Sequence, residues 1–328
     1  MNNNSSQTTT TRSWPRTMTP ADVLCILLVV AIGAGCSIRR FAVNKVGDAL
    51  ASGGTTYESD EDIELVGQAL PFGLKLIESL LAESPRHRGL LLAACQGFTM
   101  YSYAYVQHDI DVVAEEDLDA ASHVRMRARK LYLRARRYGL RGLEASYSGV
   151  SEGLGRDPAG ALSTIKRKDV PLLYWNAAAL GLAISVSRND AEMLARLPEV
   201  EALLNRALQL DEDWNEGALH EFQVTLASAR SGSPDYERIE LHFQRALALS
   251  GGKRAGLHVA YAEAGAYPKQ NRAEFESTLE QALSLDPDRH HEVRLANLVA
   301  QRRAKWLLEH VDELILDLEP TNSQGEKQ

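Results

Sequence analysis

The stretch RALQLD at residues 206–211 decides the fold, because the chain repeats it twice. It returns as RALALS at 245–250 and as QALSLD at 281–286, so Ala207, Ala246 and Ala282 lie 39 and 36 residues apart. Tetratricopeptide units are about 34 residues long and end their second helix in a similar way, with a small residue where two helices cross closely. LLAESP at 80–85 resembles a fourth, eroded copy, and the other consensus positions are weak. We therefore predict a degenerate array of tetratricopeptide-like helical hairpins.

Helical periodicity extends from these repeats over most of the chain. From about residue 60 onward the apolar residues recur with a period near 3.6, without the sustained alternation that predicts strands. The last long segment shows an apolar stripe at three- and four-residue steps, from Val293 to Leu314. The sequence thus predicts an all-α fold of about 11–12 helices in one compact array. We place the helices near 61–83, 87–107, 116–147, 157–164, 171–187, 190–210, 215–230, 235–249, 255–265, 270–285 and 290–317.

The segment LLYWNAAALGLAISV at 172–186 is apolar or small on nearly every side. A helix of this kind is usually buried all round. Its alanines and Gly181 allow neighbouring helices to approach closely, and about 20 apolar residues would be needed to cross a bilayer. We predict that it is the central core helix and not a membrane span.

The N-terminus has the pattern of an export signal. A polar stretch with Arg12 and Arg16 precedes VLCILLVVAIGA at 23–34, a run too short for a convincing membrane span. The small residues end in GAGCS at 33–37, which resembles the lipobox that precedes a lipidated cysteine, although Gly33 replaces the usual aliphatic residue. We predict a signal peptide at 1–36 with lipidation of Cys36, a flexible tether at 37–59, a helical domain at 60–317 and a disordered tail at 318–328. The alternative is an uncleaved signal anchor with Cys36 unmodified.

Composition and net charge argue against some classes of function. The chain has 328 residues and a formal net charge of −8; the first 36 residues carry +1, so the remainder carries −9. An acidic body lacks the positive field that gathers phosphates, which argues against nucleic acid as a partner. With Cys95 as the single cysteine beyond residue 36, no intrachain disulfide framework forms in the body of the chain.

Motifs that would indicate catalysis are isolated matches. GVSEG at 149–153 fits the nucleophile-elbow pattern, but a long predicted helix precedes it where that chemistry requires a strand. STIK at 163–166 lacks the partner motifs of a serine acyltransferase, and no phosphate-binding loop or H-E-x-x-H motif occurs. We predict neither a catalytic residue, nor a metal site, nor a cofactor.

Two groups of residues are candidates for recognition. The first is a basic stripe on the helix predicted at 116–147, which is either a solvated face or a docking surface for an acidic partner or anionic ligand. It consists of Arg127, Lys130, Arg134, Arg137 and Arg141. The second is a set of aromatic and amide residues that either tie core helices together or line a cavity for a small molecule. It consists of Tyr101, Tyr105, Tyr174, Trp175, Asn176 and Asn297.

With these residues in view, the chain resembles the T-component (TatT) family of TRAP transporters, the tripartite ATP-independent periplasmic uptake systems. The resemblance spans residues 70–316 approximately and depends on the order of several sequence patterns that are individually weak. They are RGLLLAACQGFTMYSYAY at 88–105, RKLYLRARRYGLRG at 129–142, the segment 170–189 with its LYW, the segment 203–210, GALH at 217–220 and RLANLVAQRRAKWLL at 294–308. The GG motif that often precedes the helix near 235 is replaced here by SGSP at 231–234.

The resemblance implies a periplasmic lipoprotein with cryptic tetratricopeptide repeats and no catalytic residue. It matches Cys36 to the lipidated cysteine, and Tyr174, Trp175 and Asn297 to recurrent positions of unassigned role. It also implies a homotrimer, binding to the solute-binding P-component, and a central cavity for a ligand. By the sorting rule of enteric bacteria, Ser37 favours the outer over the inner membrane.

Two other functions compete with this interpretation. A generic lipid-anchored tetratricopeptide scaffold of the cell envelope would share the fold without a link to transport. An enzyme with a site built from scattered residues is the second alternative, and a tightly bound metal or cofactor, which we do not expect, would favour it.

Overall fold

The computed structural model describes residues 44–49, 54–228 and 233–316. The predicted signal peptide with Cys36 and the predicted tail at 318–328 lie outside these ranges. Over the described ranges the chain is helical, without a strand. The all-α prediction is therefore confirmed.

Seventeen α-helices follow one another through the described ranges. They are α1 (44–49), α2 (Gly54–Glu58), α3 (Ile63–Glu83), α4 (Arg88–Tyr101), α5 (His108–Ala114), α6 (Leu118–Glu144), α7 (Val150–Leu154), α8 (Pro158–Leu162), α9 (Val170–Ser185), α10 (Ala191–Leu194), α11 (Leu197–Leu210), α12 (Ala218–Ala227), α13 (Tyr236–Ser250), α14 (Ala255–Tyr261), α15 (Arg272–Ser284), α16 (Arg294–Glu309) and α17 (Val311–Leu314). Ser102–Gln107 and Ala262–Ala266 are π-helical, and short 3₁₀ turns lie at Arg167–Asp169, Trp214–Gly217, Pro287–Arg289 and His291–Val293.

Several helices begin at an acidic or amide residue whose side chain caps the first turn. Asp117 accepts hydrogen bonds from the backbone N–H groups of Asp119 and Ala120 at 2.9 Å and begins α6. Asp62 and Asn271 cap α3 and α15 in the same way. A side-chain oxygen at this position satisfies backbone donors that the helix itself leaves unpaired.

Several predicted helices have different bounds in the structure. The helix predicted at 87–107 continues through a π-helical turn into α5, and Pro198 stands at the start of α11, which separates it from α10. The segment predicted as one helix at 290–317 consists of 3₁₀ turns, α16 and α17. The short helices α1 and α2 fall inside the predicted tether at 37–59.

The core surrounds α9, in which every residue from Asn176 to Ile184 is buried. Helices α4, α6, α11 and α12 pack around it, and the glycines on either side permit close approach. A Cβ atom at Gly139 of α6 would lie 2.5 Å from the Asn176 amide nitrogen, and one at Gly181 would lie 3.0 Å from the Phe222 ring. The prediction of a central core helix is confirmed.

The repeated alanines occupy equivalent places. Ala207, Ala246 and Ala282 are buried near the carboxyl ends of α11, α13 and α15. At the second of them, Gly217 (φ 87°) turns the chain so closely that an added Cβ would lie 3.2 Å from the Ala246 Cα. Ala82 in the eroded copy is exposed, so it does not share this role. The tetratricopeptide character of the whole array stays a prediction.

The last long helix returns to the beginning of the helical domain. Arg302 of α16 donates to the Ala104 carbonyl oxygen, and Trp306 Nε1 donates to Glu115 at 3.0 Å. Arg294 donates to the Ser59 carbonyl oxygen at 3.3 Å. These contacts close the array on itself, so the helices surround an interior space.

Helix α3 is long and apolar enough to cross a membrane by length and composition, and most of it is not buried against the rest of the protein. Leu65, Phe72 and Leu76 form an exposed apolar stripe on this helix.

Candidate functional site

An interior cavity of about 1100 Å³ lies inside the closed array. Its walls come from α5, α6, the carboxyl end of α9, α12, and the helices from α14 to α17. Since ligand pockets commonly measure about 300–1,000 Å³, this space suits a small molecule. We take it as the candidate functional site.

Both π-helical turns face this cavity. The first contributes Tyr103 and Gln107, and the second contributes Glu263 and Ala264. In the second, the Tyr267 N–H donates to the Ala262 carbonyl oxygen, five residues back, at 2.8 Å. Such turns inside α-helices are frequent at functional sites, because the extra residue displaces side chains from the regular helical positions.

Tyr103 shows that the space is internal. Its side chain is 40% accessible. Burial nevertheless raises the pKa of its hydroxyl, and the nearby Glu263 raises it further. A side chain that is accessible and yet surrounded by protein faces a cavity within the molecule.

An arginine from α16 bridges two walls of the cavity. Arg303 donates to Asp111 of α5 at 2.8 Å and to Glu263 at 2.8 and 3.0 Å, and its guanidinium lies 4.6 Å from the centre of the Trp306 ring. Burial alone would lower the pKa of Arg303, but the two carboxylates outweigh that effect and raise it. The bridge therefore stays charged and holds α16 against both the α5 and the α14 sides.

A second ion pair joins the walls formed by α6 and by the segment after α9. Arg129 lies 2.7 Å from Asp190. Arg125, one helical turn before Arg129, and Arg188, two residues before Asp190, also line the cavity. This side of the cavity is basic.

Apolar side chains also contribute to the lining of the cavity. Phe222 and Leu226 come from α12, Phe275 from α15, and Leu307 and Leu314 from the last two helices. Of these side chains, all but that of Leu314 are at most 6% exposed, so they form the packed layer behind the surface of the cavity.

The predicted aromatic and amide set lies elsewhere, because none of its six residues is among those that line this cavity. Tyr101 and Tyr105 stack with ring centres 5.7 Å apart, and burial raises the pKa of Tyr105 to about 12. Tyr174 packs against Trp175 and Trp214 with ring centres 4.9 and 4.8 Å away. The first pair lies within one continuous helical segment, and Tyr174 reaches from α9 to the 3₁₀ turn that contains Trp214.

The amides of the two buried asparagines make different connections. Asn297 of α16 accepts from the Ala255 N–H at 2.9 Å and donates to the Lys253 carbonyl oxygen at 2.9 Å, which fixes the start of α14. Asn176 donates to the Leu172 carbonyl oxygen at 2.7 Å within α9. Asn297 thus ties α16 to the start of α14, whereas Asn176 bonds within its own helix and its Oδ1 has no partner among the described residues.

The predicted basic stripe follows the outer face of α6. Arg127, Lys130, Arg137 and Arg141 are exposed. Arg134 is partly buried and donates to both carboxylate oxygens of Glu78, at 2.6 and 2.5 Å. Of the four exposed cations, Arg127 also donates to the Tyr101 hydroxyl at 3.3 Å and Arg141 to the Pro85 carbonyl oxygen at 3.0 Å.

The residues that line the cavity escaped the sequence-based predictions. Tyr103 and Arg303 give no signal by themselves, since only the closure of α16 onto α5 brings them together. Arg125 and Arg129 are spaced i,i+4 on a helix already predicted, and that spacing was a signal. Among the described residues no group of three His, Cys, Asp or Glu side chains could hold a metal ion.

Comparison with known proteins identifies the family to which the chain belongs. The chain is 31% identical over 304 residues to an uncharacterized protein of Treponema pallidum (strain Nichols), and the aligned region covers 87% of this chain and 94% of the relative. The sequence profile of the TRAP transporter T-component family matches residues 59–315, which include the helices that surround the cavity. The chain therefore belongs to the TRAP transporter T-component family and is, by that membership, an accessory component of a transport system.

Proposed function

We propose that the protein is a periplasmic, lipid-anchored T-component that binds the solute-binding P-component and receives a small ligand in its central cavity. The observation that carries the ligand part is the cavity of about 1100 Å³ among the helices of the array, with four arginines in its lining. Function by binding, without catalysis, agrees with family membership.

The exposed stripe on α6 is the proposed docking surface for the P-component. Arg127, Lys130, Arg137 and Arg141 place four cations along one face of a 27-residue helix. An acidic surface on the partner would be attracted to this face, and the attraction would weaken as salt increases.

The proposed anchor is a lipid on Cys36. The described chain begins at residue 44, and its first helix packs close to the core: Asn44 accepts from the Ser84 hydroxyl at 2.8 Å. A short connection of this kind would hold the helical domain near the bilayer, with the outer membrane favoured by Ser37.

The test is affinity capture of the mature protein from membranes of its own cells, followed by identification of the proteins that co-purify. We expect a periplasmic solute-binding protein of a TRAP system, and we expect its recovery to fall as salt increases. Consistent recovery of unrelated envelope machinery would instead support a generic tetratricopeptide scaffold and contradict the proposal.

Charge reversal tests whether the stripe on α6 is the docking surface. The triple variant Arg127→Glu/Arg137→Glu/Arg141→Glu should lose most of the captured protein, because it replaces attraction by repulsion. Lys168→Glu is the matched control, since Lys168 is also exposed but lies on the 3₁₀ turn before α9. Equal capture by the triple variant and the control would exclude this face as the docking surface.

A further inference from the structure

Helix α3 presents a row of apolar side chains to the outside of the protein. Leu65, Phe72 and Leu76 are 56%, 75% and 38% exposed, and Ala69, which lies between them, is exposed as well. At about 100° per residue, the four positions fall within a sector of about 60° on the helix. Single apolar residues on a surface are ordinary, whereas a continuous row along one helix indicates a contact surface.

The other faces of α3 hold the helix in the array. Val66, Leu74 and Leu81 are buried against the rest of the protein. Glu78 lies about 140° round the helix from Leu65 and accepts hydrogen bonds from Arg134 of α6. To cross a bilayer, α3 would have to leave the array and expose these buried residues, although its length and composition suit a crossing. Contact with lipid is therefore restricted to the outward row.

The chain that leads from the proposed lipid to α3 is short. The described chain starts at Asn44, whose Oδ1 accepts from the Ser84 hydroxyl at 2.8 Å, and Ser84 is the residue that ends α3. Cys36 lies eight residues before Asn44, so the connection spans at most about 29 Å. The helix itself is about 31 Å long. A lipid on Cys36 thus keeps the end of α3 within one helix length of the bilayer.

Apolar surface continues over the two short helices that precede α3. Val46 on α1 and Tyr57 on α2 are both exposed. The Tyr57 hydroxyl lies 3.6 Å from the position of a Cβ atom at Gly73, the residue after Phe72. A tyrosine suits the boundary between lipid and water, because its ring is apolar and its hydroxyl is polar.

The size of the row argues against a protein as its partner. A specific protein interface buries about 800 Å² on each partner. Even an aromatic side chain offers at most about 250 Å², so at their exposed fractions Leu65, Phe72 and Leu76 present about 400 Å² together. A lipid surface beside the anchor has no such minimum area, because the covalent lipid already supplies the affinity and holds the helix close.

We propose that the outward row of α3, formed by Leu65, Ala69, Phe72 and Leu76, lies against the surface of the bilayer that holds the anchor. This inference rests on the proposed lipid on Cys36 and adds to it the orientation of the helical domain. The axis of α3 would run along the membrane surface, with its apolar side chains at the boundary between headgroups and acyl chains.

Fluorescence quenching by labelled lipid tests this contact. The variant Ala69→Cys of the mature, lipidated chain is labelled with an environment-sensitive fluorophore in phosphatidylcholine vesicles whose acyl chains carry a nitroxide. Cys95 is fully buried, so the label attaches at position 69. We expect several-fold stronger quenching there than in the matched control Ala248→Cys. Ala248 is also an exposed alanine on a helix, but α13 packs against α12 and α14.

Removing the apolar side chains should abolish the contact. The double variant Phe72→Gln/Leu76→Gln should lose most of the quenching of the label at position 69, because polar side chains gain nothing from leaving water. Leu241→Gln is its control, since it removes an exposed apolar side chain from α13 and should leave the quenching unchanged. Quenching should also persist in about 1 M NaCl, where a Debye length of about 3 Å suppresses attraction between charges.

The outcomes separate this inference from the proposed function. If the mature chain does not float with vesicles, the lipid anchor fails and the contact of α3 fails with it. If the chain floats but the labels at positions 69 and 248 are quenched equally, the anchor stands and the contact of α3 is wrong. A blue-shifted label at position 69 that the lipid nitroxides do not quench would also overturn the proposal, because a second copy or another protein would then cover this face.

Discussion

The two faces of α6 carry the same residue type in opposite settings. Arg125, Arg129 and Arg136 recur at steps of four and seven residues and turn inward, whereas Arg127, Arg134 and Arg141 recur at steps of seven and turn outward. At about 100° per residue the two sets lie on nearly opposite sides of the helix. The outward arginines meet solvent, the Glu78 carboxylate or aromatic rings, and the inward ones meet the cavity or the partly buried Glu199. The difference teaches that periodicity assigns residues to a face, and only the tertiary packing decides what that face does.

The largest effect is expected at the most deeply buried arginine. Arg136 is 4% exposed and forms an ion pair with Glu199 of α11, and burial lowers its pKa to about 10. Replacing Glu199 by Ala leaves a buried charge without its partner, which should cost about 3–5 kcal/mol of the free energy of unfolding. Chemical denaturation of the full chain measures this loss.

The adjacent position supplies the control for that experiment. Arg137→Gln changes an exposed arginine one residue away and should alter the free energy of unfolding by less than about 0.5 kcal/mol. The double replacement Arg136→Met/Glu199→Leu should recover most of the stability, because neither charge then needs a partner. Equal costs for Glu199→Ala and Arg137→Gln would mean that the two faces do not differ.

An intermediate effect is expected where α6 crosses α9. A Cβ at Gly139 would lie 2.5–2.7 Å from the side-chain atoms of Asn176. The overpacking in Gly139→Ala should cost about 1–3 kcal/mol, which exceeds the gain of about 1 kcal/mol from better helix propensity. We expect a lower midpoint of thermal unfolding.

A double-mutant cycle tests that explanation. In the background of Asn176→Ala the clashing atoms are absent, so Gly139→Ala should become neutral or stabilising. If the cost of Gly139→Ala stays the same in both backgrounds, contact with Asn176 is not its cause.

The smallest effect is expected on the outer face and should depend on pH. Burial by itself would raise the pKa of Glu78, but hydrogen bonds from Lys75, Tyr138 and Arg134 outweigh it and lower the pKa. A carboxylate whose pKa is lowered on folding stabilises the protein above its ordinary pKa, and the contribution is lost as the pH falls through the folded value. Glu78→Gln should cost about 1 kcal/mol at pH 7 and less at pH 4 and below.

The matched control for this prediction is Glu152→Gln. Glu152 pairs with Arg156 at 2.6 Å, but their side chains are 70% and 77% exposed. Because water screens such a pair, the substitution should leave the unfolding midpoint unchanged at both pH values. A cost for Glu78→Gln that does not change with pH would show that its charge is not what stabilises the contact.

Local patterns accounted for much of the fold. The apolar segment at 172–186 predicted α9 at the centre, and the repeated alanines predicted three buried helix ends. Asn297 shows what such patterns cannot predict. A buried amide signals that a hydrogen bond is needed, but the partners of Asn297 are Ala255 and Lys253, more than 40 residues away. Sequence spacing cannot supply that information.

The candidate site could not be predicted from the sequence for the same reason. Arg303 meets Asp111 across 192 residues, so its place in a cavity depends on ring closure and not on any local pattern. The π-helical turns lie within the helix predicted at 87–107 and at the end of the one predicted at 255–265, and periodicity with a period of 3.6 does not report them.

Those two turns have a consequence for how the protein can change. A π-helical turn contains one residue more than the α-helical turn it replaces. Deleting one residue within Ser102–Gln107 would therefore restore a regular α-helical turn, keep the flanking segments in phase, and shift the side chains inside the turn, Tyr103 among them, relative to the cavity. Losing or gaining a single residue at 102–107 or 262–266 would therefore change several cavity-lining side chains in one step, which a single substitution cannot do.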